Sequence, residues 1–167
     1  HYCVNDLVEY VNAVSDTDVA ALVDEYYSKY KIIDEGRDPE EFRRHVAVQA
    51  RQEIGIEKFL VDNNYQAVVT HFGMLGGLQQ LPGLAIQRLM EKGYGFGAEG
   101  DWKVAAMVRL MKLMTAGIKD AKGTSMMEDY TYHLVPGEEG ILQAHMLEVC
   151  PSIADGEIGI KVCPLSM

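Results

Sequence analysis

The chain has 167 residues, 48% of them hydrophobic, and a formal net charge of −10 from 25 acidic and 15 basic residues. A globular chain of this length fills one domain, or one domain and part of another. The acidic surplus repels phosphate backbones and no basic stripe is present, so we expect no nucleic-acid partner.

The sequence carries no segment that would target or anchor it to a membrane. No apolar run reaches the roughly 18–20 residues needed to cross a bilayer, and no signal peptide is visible. Cys3, Cys150 and Cys163 form no C-x-x-C pair, which argues against a zinc ribbon or a disulfide framework. We therefore expect a cytoplasmic protein without a membrane partner. Because the chain begins with His1 rather than Met, we expect a piece of a longer polypeptide.

The N-terminal half is predicted to be helical. Apolar residues recur at helical spacing over 7–14 and 19–30, with Ser15 or Thr17 available as the N-cap of the second helix. A third helix is predicted to begin at Asp38-Pro39, and Gly55 weakens the prediction that it continues without a break.

The following segment has the order of an α/β fold. A buried strand is predicted over 65–72, a helix from Pro82 to Gly93, a short strand over 94–98 and a helix over 101–114. The last helix is apolar nearly all round, which predicts that it is buried. This order favours parallel strands, whose ligands bind beyond the carboxyl ends.

The C-terminal quarter is predicted to be rich in β-structure. Runs at 130–135 and 141–149 are joined by Pro-Gly-Glu-Glu-Gly, which predicts a hairpin, and 158–162 is a further predicted strand. We therefore divide the chain into an α/β domain, residues 1–118, and the start of a β-rich domain, residues 119–167.

Three residues are candidates for a metal site. Glu99 is placed between a strand end and a helix N-terminus, Glu128 precedes a strand and His145 lies within one. Carboxylates and imidazole hold a hard divalent ion that polarises a carbonyl and an adjacent hydroxyl, while a carboxylate shuttles a proton between neighbouring carbons. A sugar isomerase needs groups of this kind.

Each of these residues also has a structural interpretation. An exposed Glu is ordinary, and a His that alternates with apolar neighbours is more often a satisfied core residue. The same reasoning assigns structural or core roles to His133, Trp102, Cys150 and the methionines at 107, 111 and 114. The spacing of the candidates does not decide between the two interpretations.

Long strings around the candidates resemble those of the L-arabinose isomerase family. They are LPGLAIQRLM at 81–90, GYGFGAEGDWK at 93–103, MEDYTYH at 127–133 and HMLEVCPSIA at 145–154. The resemblance extends over nearly the whole chain. It implies a fucose isomerase-like middle domain with parallel strands and helices, followed by the beginning of a β-rich C-terminal domain.

The resemblance also implies an activity and its residues. Members interconvert L-arabinose and L-ribulose through an enediol in L-arabinose catabolism, often accept D-galactose to give D-tagatose, use one Mn²⁺ per subunit and form homo-oligomers. The family's two catalytic, metal-ligating glutamates fall on Glu99 and Glu128, and the first of its two metal-binding histidines on His145. Phe72 matches an aromatic residue that lines the sugar pocket.

The chain departs from the family pattern in its extent. A complete member has an N-terminal Rossmann-like domain and a second metal-binding histidine beyond Met167, and Cys163 stands where many relatives have His. We therefore expect this segment to be inactive alone. Alternatives are another ketol isomerase of the fucose isomerase-like fold and a non-catalytic fold or oligomerisation fragment. A periplasmic sugar-binding module is disfavoured because sugar binding alone does not need two glutamates and a histidine.

Overall fold

A computed structural model describes residues 3–164. Its elements, in chain order, are α1 (Val4–Asn12), α2 (Asp16–Lys29), β1 (Lys31–Ile33), α3 (Pro39–Asp62), β2 (Ala67–Val69), α4 (Gly83–Glu91), β3 (Gly95–Gly97), α5 (Trp102–Thr115), β4 (Asp129–His133), β5 (Gly140–Ala144) and β6 (Gly159–Lys161). Within 3–164, no helix is both long and apolar enough to span a membrane. The predicted α/β class is confirmed. The outer limits of the two predicted domains, residues 1 and 167, lie outside the described residues.

The chain forms two compact units that interleave along the sequence. The first contains the described parts of 1–65 and 154–167 together with 73–85, and the second contains 66–72 and 86–153. The predicted domain boundary between residues 118 and 119 stays a prediction, because neither compact unit begins or ends there.

The three predicted N-terminal helices are confirmed in the first unit. Ser15, rather than Thr17, caps α2, since its Oγ accepts a hydrogen bond from the Asp18 backbone N–H at 3.1 Å. Asp38 caps α3 in the same way through the Glu41 N–H, and Pro39 occupies the first helical position. Both caps satisfy an N–H group that the helix leaves without a partner.

The core of the first unit is built mainly from α2 and α3. Its buried members are Val19, Val23, Tyr26, Tyr30, Phe42, Val46, Ala50 and Ile160. Tyr26 and Glu53 are both fully buried, and the Tyr26 hydroxyl donates to Glu53 Oε2 at 2.5 Å. This hydrogen bond compensates part of the cost of burying a carboxyl group.

Helix α3 continues without a break through Gly55, and α1 crosses directly over that residue. A Cβ atom at Gly55 would lie 2.6 Å from Val11 Cα, which is closer than any real contact. The glycine that weakened the helix prediction is therefore the residue that lets two helix backbones approach.

The first unit also contains a strand that the sequence did not predict. Strand β1 pairs in parallel with β6, with Lys31 opposite Gly159 and Ile33 opposite Lys161. The predicted strand over 158–162 is confirmed as β6. The β1 segment is too short to show an alternating pattern, and its long-range partner is what defines it as a strand.

The second unit is organised around a parallel pair of short strands. β2 pairs with β3, with Ala67 opposite Gly95 and Val69 opposite Gly97, which confirms the predicted parallel arrangement. The prediction that 65–72 is buried is wrong, because β2 is half-buried and Val69 is 36% exposed. A two-stranded pair has an open edge, so its strands are not enclosed on both sides.

Helix α5 packs onto β3 with almost no space between the two backbones. A Cβ at Gly95 would lie 2.1 Å from the Ala105 carbonyl oxygen, and one at Gly97 would lie 2.1 Å from the Asp101 carbonyl oxygen. Only glycine is compatible with this approach. The contact fixes the turn between β3 and α5, which carries Glu99.

The prediction that α5 is buried on all sides is wrong. Ala105 and Val108 are its buried residues, whereas a set of large apolar side chains is exposed in the described chain: Trp102, Met107, Leu110, Met111, Leu113 and Met114. Their composition has the apolar character of a core, but nothing within residues 3–164 covers them. The α5 apolar face denotes these six residues below.

The predicted hairpin is confirmed by β4 and β5, which pair antiparallel with Asp129 opposite Ala144 and His133 opposite Gly140. All ten strand residues are exposed. The register brings the start of β4 next to the end of β5, where Glu128 and His145 lie.

Replacing Gly55 by Ala should destabilise the protein. Helix propensity favours Ala by about 1 kcal/mol, but overpacking costs about 2–3 kcal/mol when the obstructing atoms belong to a backbone that cannot move aside, so we expect a net loss of about 1–2 kcal/mol in urea unfolding. Gly156→Ala is the control, because nothing lies within 4 Å of a Cβ there. Unchanged or increased stability of Gly55→Ala would contradict the packing described for α1.

Candidate metal and catalytic site

Glu99 lies in the turn between β3 and α5, as predicted. It is exposed and has a φ of 53°, and Gly100 follows with a φ of 89°. The Gly100 N–H donates to the Thr70 carbonyl at 3.2 Å, and Asp101 caps α5 through the Lys103 and Val104 N–H groups. A left-handed conformation at a non-glycine residue costs about 1 kcal/mol or more and is concentrated at functional sites.

Glu128 and His145 are brought together by the hairpin. Glu128 Oε2 lies 3.4 Å from His145 Nε2, and the Glu128 N–H donates to the Ala144 carbonyl at 3.1 Å. Glu128 precedes β4 as predicted, but the prediction that His145 lies within a strand is wrong, since β5 ends at Ala144. The His145 side chain is 3% exposed, whereas that of Glu128 is 39% exposed. The imidazole is thus held in place and the carboxylate faces outward.

The backbone of Glu148 frames the other ring nitrogen of His145. Nδ1 lies 3.0 Å from both the carbonyl oxygen and the backbone nitrogen of Glu148. If Nδ1 carries the proton it donates to the carbonyl, and Nε2 then has a free lone pair for a metal. If Nδ1 is unprotonated it accepts from the N–H, and Nε2–H then faces Glu128. Both neutral tautomers therefore have a partner.

Glu148 is a buried carboxyl group that the sequence reasoning missed. Its Oε2 lies 3.7 Å from His145 Nδ1, and the residue is 3% exposed. Burial raises the pKa of Glu148, while His145 acts in the opposite direction and Glu128 adds to the rise. The signal in the sequence was its position three residues after a candidate ligand, within a distinctive string. Orientation of a metal-binding histidine by such a neighbour is common in metal sites.

The structure does not gather all the predicted ligands into one cluster. Among residues 3–164, no group of three or more His, Cys, Asp or Glu side chains is arranged to hold a metal ion. The Glu128 and His145 donor atoms are nevertheless compatible with one ion. Two ligands about 2.1 Å from an octahedral ion are about 3 Å apart at neighbouring positions, close to the 3.4 Å observed.

Phe72 follows the end of β2, close in sequence to Thr70, which contacts the Glu99 turn. Phe72 is 46% exposed, and its ring stacks on that of His71 with the centroids 5.0 Å apart. An exposed aromatic ring beyond a strand end is suited to contact a ligand. The sugar-pocket role of Phe72 stays a prediction.

The structural interpretations of the remaining residues have mixed outcomes. Cys150 is buried, as predicted. Trp102 is exposed and Lys103 lies over its ring, so the core prediction for it is wrong. His133 is exposed on the hairpin, with Nε2 3.8 Å from Glu138 Oε2. Trp102 therefore does not belong to a core, and the structural role of His133 stays a prediction.

Comparison with known proteins covers almost the entire chain. Residues 1–117 match the L-arabinose isomerase central domain, and residues 123–167 match the L-arabinose isomerase C-terminal domain. The chain belongs to the L-arabinose isomerase family. The helices and parallel strands described above, followed by the β4–β5 hairpin, agree with a central domain followed by the start of the C-terminal domain of L-arabinose isomerase.

Relatives named L-arabinose isomerase are similar over nearly the full chain. The protein of Geobacillus stearothermophilus is 55% identical over 166 residues, which are 99% of this chain and 33% of that protein. The Clavibacter sepedonicus protein is 51% identical over 98% of this chain and 32% of its own length. The Klebsiella pneumoniae protein is 51% identical over 93% of this chain and 31% of its own length. The chain spans about a third of the length of these L-arabinose isomerases.

Replacing Glu148 by Gln should remove a pH dependence of stability in the metal-free protein. Because burial raises the pKa of this carboxyl, the folded state retains its proton between the ordinary value of 4.5 and the raised one, where the unfolded chain has lost it. Stability therefore falls as the pH rises through this window.

In urea unfolding across the same pH range, Glu148→Gln should show a flatter profile than the parent and a relative gain at neutral pH. Glu9→Gln, at an exposed position on α1, is the control. Parallel profiles for the parent and Glu148→Gln would contradict the buried carboxyl.

Proposed function

We propose that the polypeptide carrying this segment is a metal-dependent aldose–ketose isomerase that interconverts L-arabinose and L-ribulose. Within the family shown above, the observation that carries the proposal is the Glu128–His145 pair, 3.4 Å apart and oriented by Glu148. The names of the relatives support the substrate. D-galactose, with D-tagatose as product, is proposed as a further substrate.

Glu99, Glu128 and His145 are proposed to hold one Mn²⁺ per subunit. When bound, the ion would polarise the sugar carbonyl and its neighbouring hydroxyl. Carboxylate oxygens and an imidazole nitrogen suit such an ion. Glu99 and Glu128 are exposed, so both are accessible to an ion and to a sugar, and His145 is already held with its Nε2 toward Glu128.

The two glutamates are proposed to move the proton that isomerisation requires. One carboxylate removes a proton from the carbon next to the carbonyl to give an enediol, and the other helps return it to the neighbouring carbon. The β3–α5 contact that fixes the Glu99 turn, and the hydrogen bond from the Glu128 N–H to the Ala144 carbonyl, limit the motion of both groups. This lowers the entropy cost of reaching the sugar. Phe72 would contribute an apolar surface against one face of the sugar.

The proposal places the protein in cytoplasmic L-arabinose catabolism, as a homo-oligomer. The α5 apolar face supports a protein partner, because contiguous exposed apolar side chains are typical of interaction surfaces. A homo-oligomer is the partner that the family resemblance implies.

Sedimentation of a Leu110→Glu variant checks this proposal: a smaller assembly with unchanged helix content supports it, and an unchanged assembly contradicts it.

Removing a proposed ligand should strongly reduce activity or weaken metal binding. In a full-length polypeptide that carries this segment, Glu99→Gln and Glu128→Gln should each lower kcat by at least about a hundredfold, since general acid–base catalysis contributes about 10²–10⁴-fold. His145→Asn should raise the Kd for Mn²⁺ in the same assay series.

The matched controls are on the exposed hairpin, where Glu138→Gln and His133→Asn alter the same residue types without touching the site. Both should retain parental turnover and metal affinity. Near-parental turnover of Glu99→Gln or Glu128→Gln with saturating Mn²⁺ would refute the assignment.

The 167-residue chain alone is expected to bind Mn²⁺ weakly and to show no turnover. The Glu128–His145 pair supplies two donors, and no larger ligand group occurs within residues 3–164. Incubation of the purified chain with L-arabinose and Mn²⁺, followed by a ketose assay, tests this expectation. Ketose formation above a His145→Asn control would show it to be wrong.

A further inference from the structure

Lys112, on α5, contacts two chain segments that are far apart in sequence. Its Nζ donates to the Thr124 carbonyl at 2.9 Å and lies 3.3 Å from Cys150 Sγ. Both contacts are partly buried, and Cys150 itself is 1% exposed. A lysine in such a position is held by its acceptors rather than free in solvent.

The two segments are also joined directly next to Lys112. The Cys150 N–H donates to Ser125 Oγ at 2.8 Å, and the Cys150 thiol lies 3.1 Å from Ser152 Oγ. The neighbouring Met126 is 2% exposed. The Lys112 clamp denotes Lys112, Thr124, Ser125 and Cys150 with these contacts.

Each element joined by the clamp carries a residue of the proposed site. Helix α5 follows the Glu99 turn, Glu128 comes three residues after Ser125, and His145 and Glu148 come shortly before Cys150. The hairpin between Glu128 and His145 is exposed along both strands. Within the second unit, the partly buried contacts that hold the Glu128–His145 pair are therefore at the base of the hairpin, where the Lys112 clamp lies.

We infer that Lys112 is a positioning residue for the proposed metal site, acting through Thr124, Ser125 and Cys150 on Glu128 and His145. It does not touch the ligands and is not a catalytic residue. The inference rests on the proposed function, since it assigns Lys112 a role in a site that this function requires.

The physical reason is that one cation on α5, a helix already packed directly against β3, joins the Thr124 and Cys150 segments to that helix. Hydrogen bonds from a charged donor contribute more to stability than neutral ones. Without the ammonium group, the Thr124 carbonyl loses its hydrogen bond from Lys112, and Cys150 Sγ loses its contact with α5 while keeping that with Ser152, so the base of the hairpin loosens. Because neighbours that orient ligands typically change metal affinity by about 10–100-fold when removed, a looser base should weaken metal binding.

The test is Lys112→Met in a full-length polypeptide that carries this segment, with Lys119→Met, an exposed lysine beyond α5, as the matched control. Two readouts are measured: the Kd for Mn²⁺ from the electron paramagnetic resonance signal of the free ion, and hydrogen exchange of the Cys150 amide in the metal-free protein. We expect Lys112→Met to raise the Kd about tenfold and to accelerate that exchange, with Lys119→Met unchanged. Lys112→Arg should restore both readouts in part.

A parental Kd for Lys112→Met, within twofold, would overturn the inference, even if the melting temperature falls. If Lys112→Met does not fold, Ser125→Ala takes its place, since it removes the acceptor of the Cys150 N–H together with a local hydrogen bond to the Met126 carbonyl. A raised Kd supports the clamp and a parental Kd refutes it. Failure of the proposed function is separate: the parent would then lack isomerase turnover or Mn²⁺ binding before any substitution is made.

Discussion

The direct contact between β3 and α5 is the constraint on which the second unit depends. Gly95 and Gly97 leave no room for side chains, and the helix backbone lies against the strand. A helix seated so closely has its N-terminus at a fixed point, and Asp101 completes it as the cap. The turn that joins the two elements consequently places Glu99 in a left-handed conformation. Residues without catalytic chemistry thus decide where a candidate catalytic carboxylate lies.

The second constraint is the antiparallel register of β4 and β5. Because Asp129 lies opposite Ala144, the residues just outside the ladder, Glu128 and His145, become neighbours. The hairpin is exposed, so its own packing holds it weakly. Its order comes from the base, where Lys112 and Ser125 bind the Cys150 segment and Gln87 Oε1 accepts from the Val149 N–H at 3.3 Å. The distance between Glu128 and His145 therefore depends on the contacts that hold the base of the hairpin.

Local signals in the sequence predicted the elements well and their surroundings less well. Ser15 and Asp38 marked helix starts because capping is a local hydrogen bond, and Gly93, with a φ of 104°, marked a helix end. Strand β1 was missed because its partner, β6, lies far along the chain. The burial of α5 was predicted wrongly because apolar composition shows that a surface needs covering, not what covers it. Glu148 was missed because its burial follows from packing around His145.

By itself, the sequence determined the order of the helices and of every strand except β1, the parallel pairing of β2 and β3 and, through long strings around Glu99, Glu128 and His145, the family. These properties depend on local hydrogen bonding, periodicity and residue identity, all of which are written along the chain. Tertiary structure alone decided that Gly55 marks a helix crossing, that His145 meets Glu128 beyond the strand end, and that Lys112 joins separate segments. The reason is that a contact between distant residues is set by the packing of backbones, and neither partner's neighbours in sequence specify it.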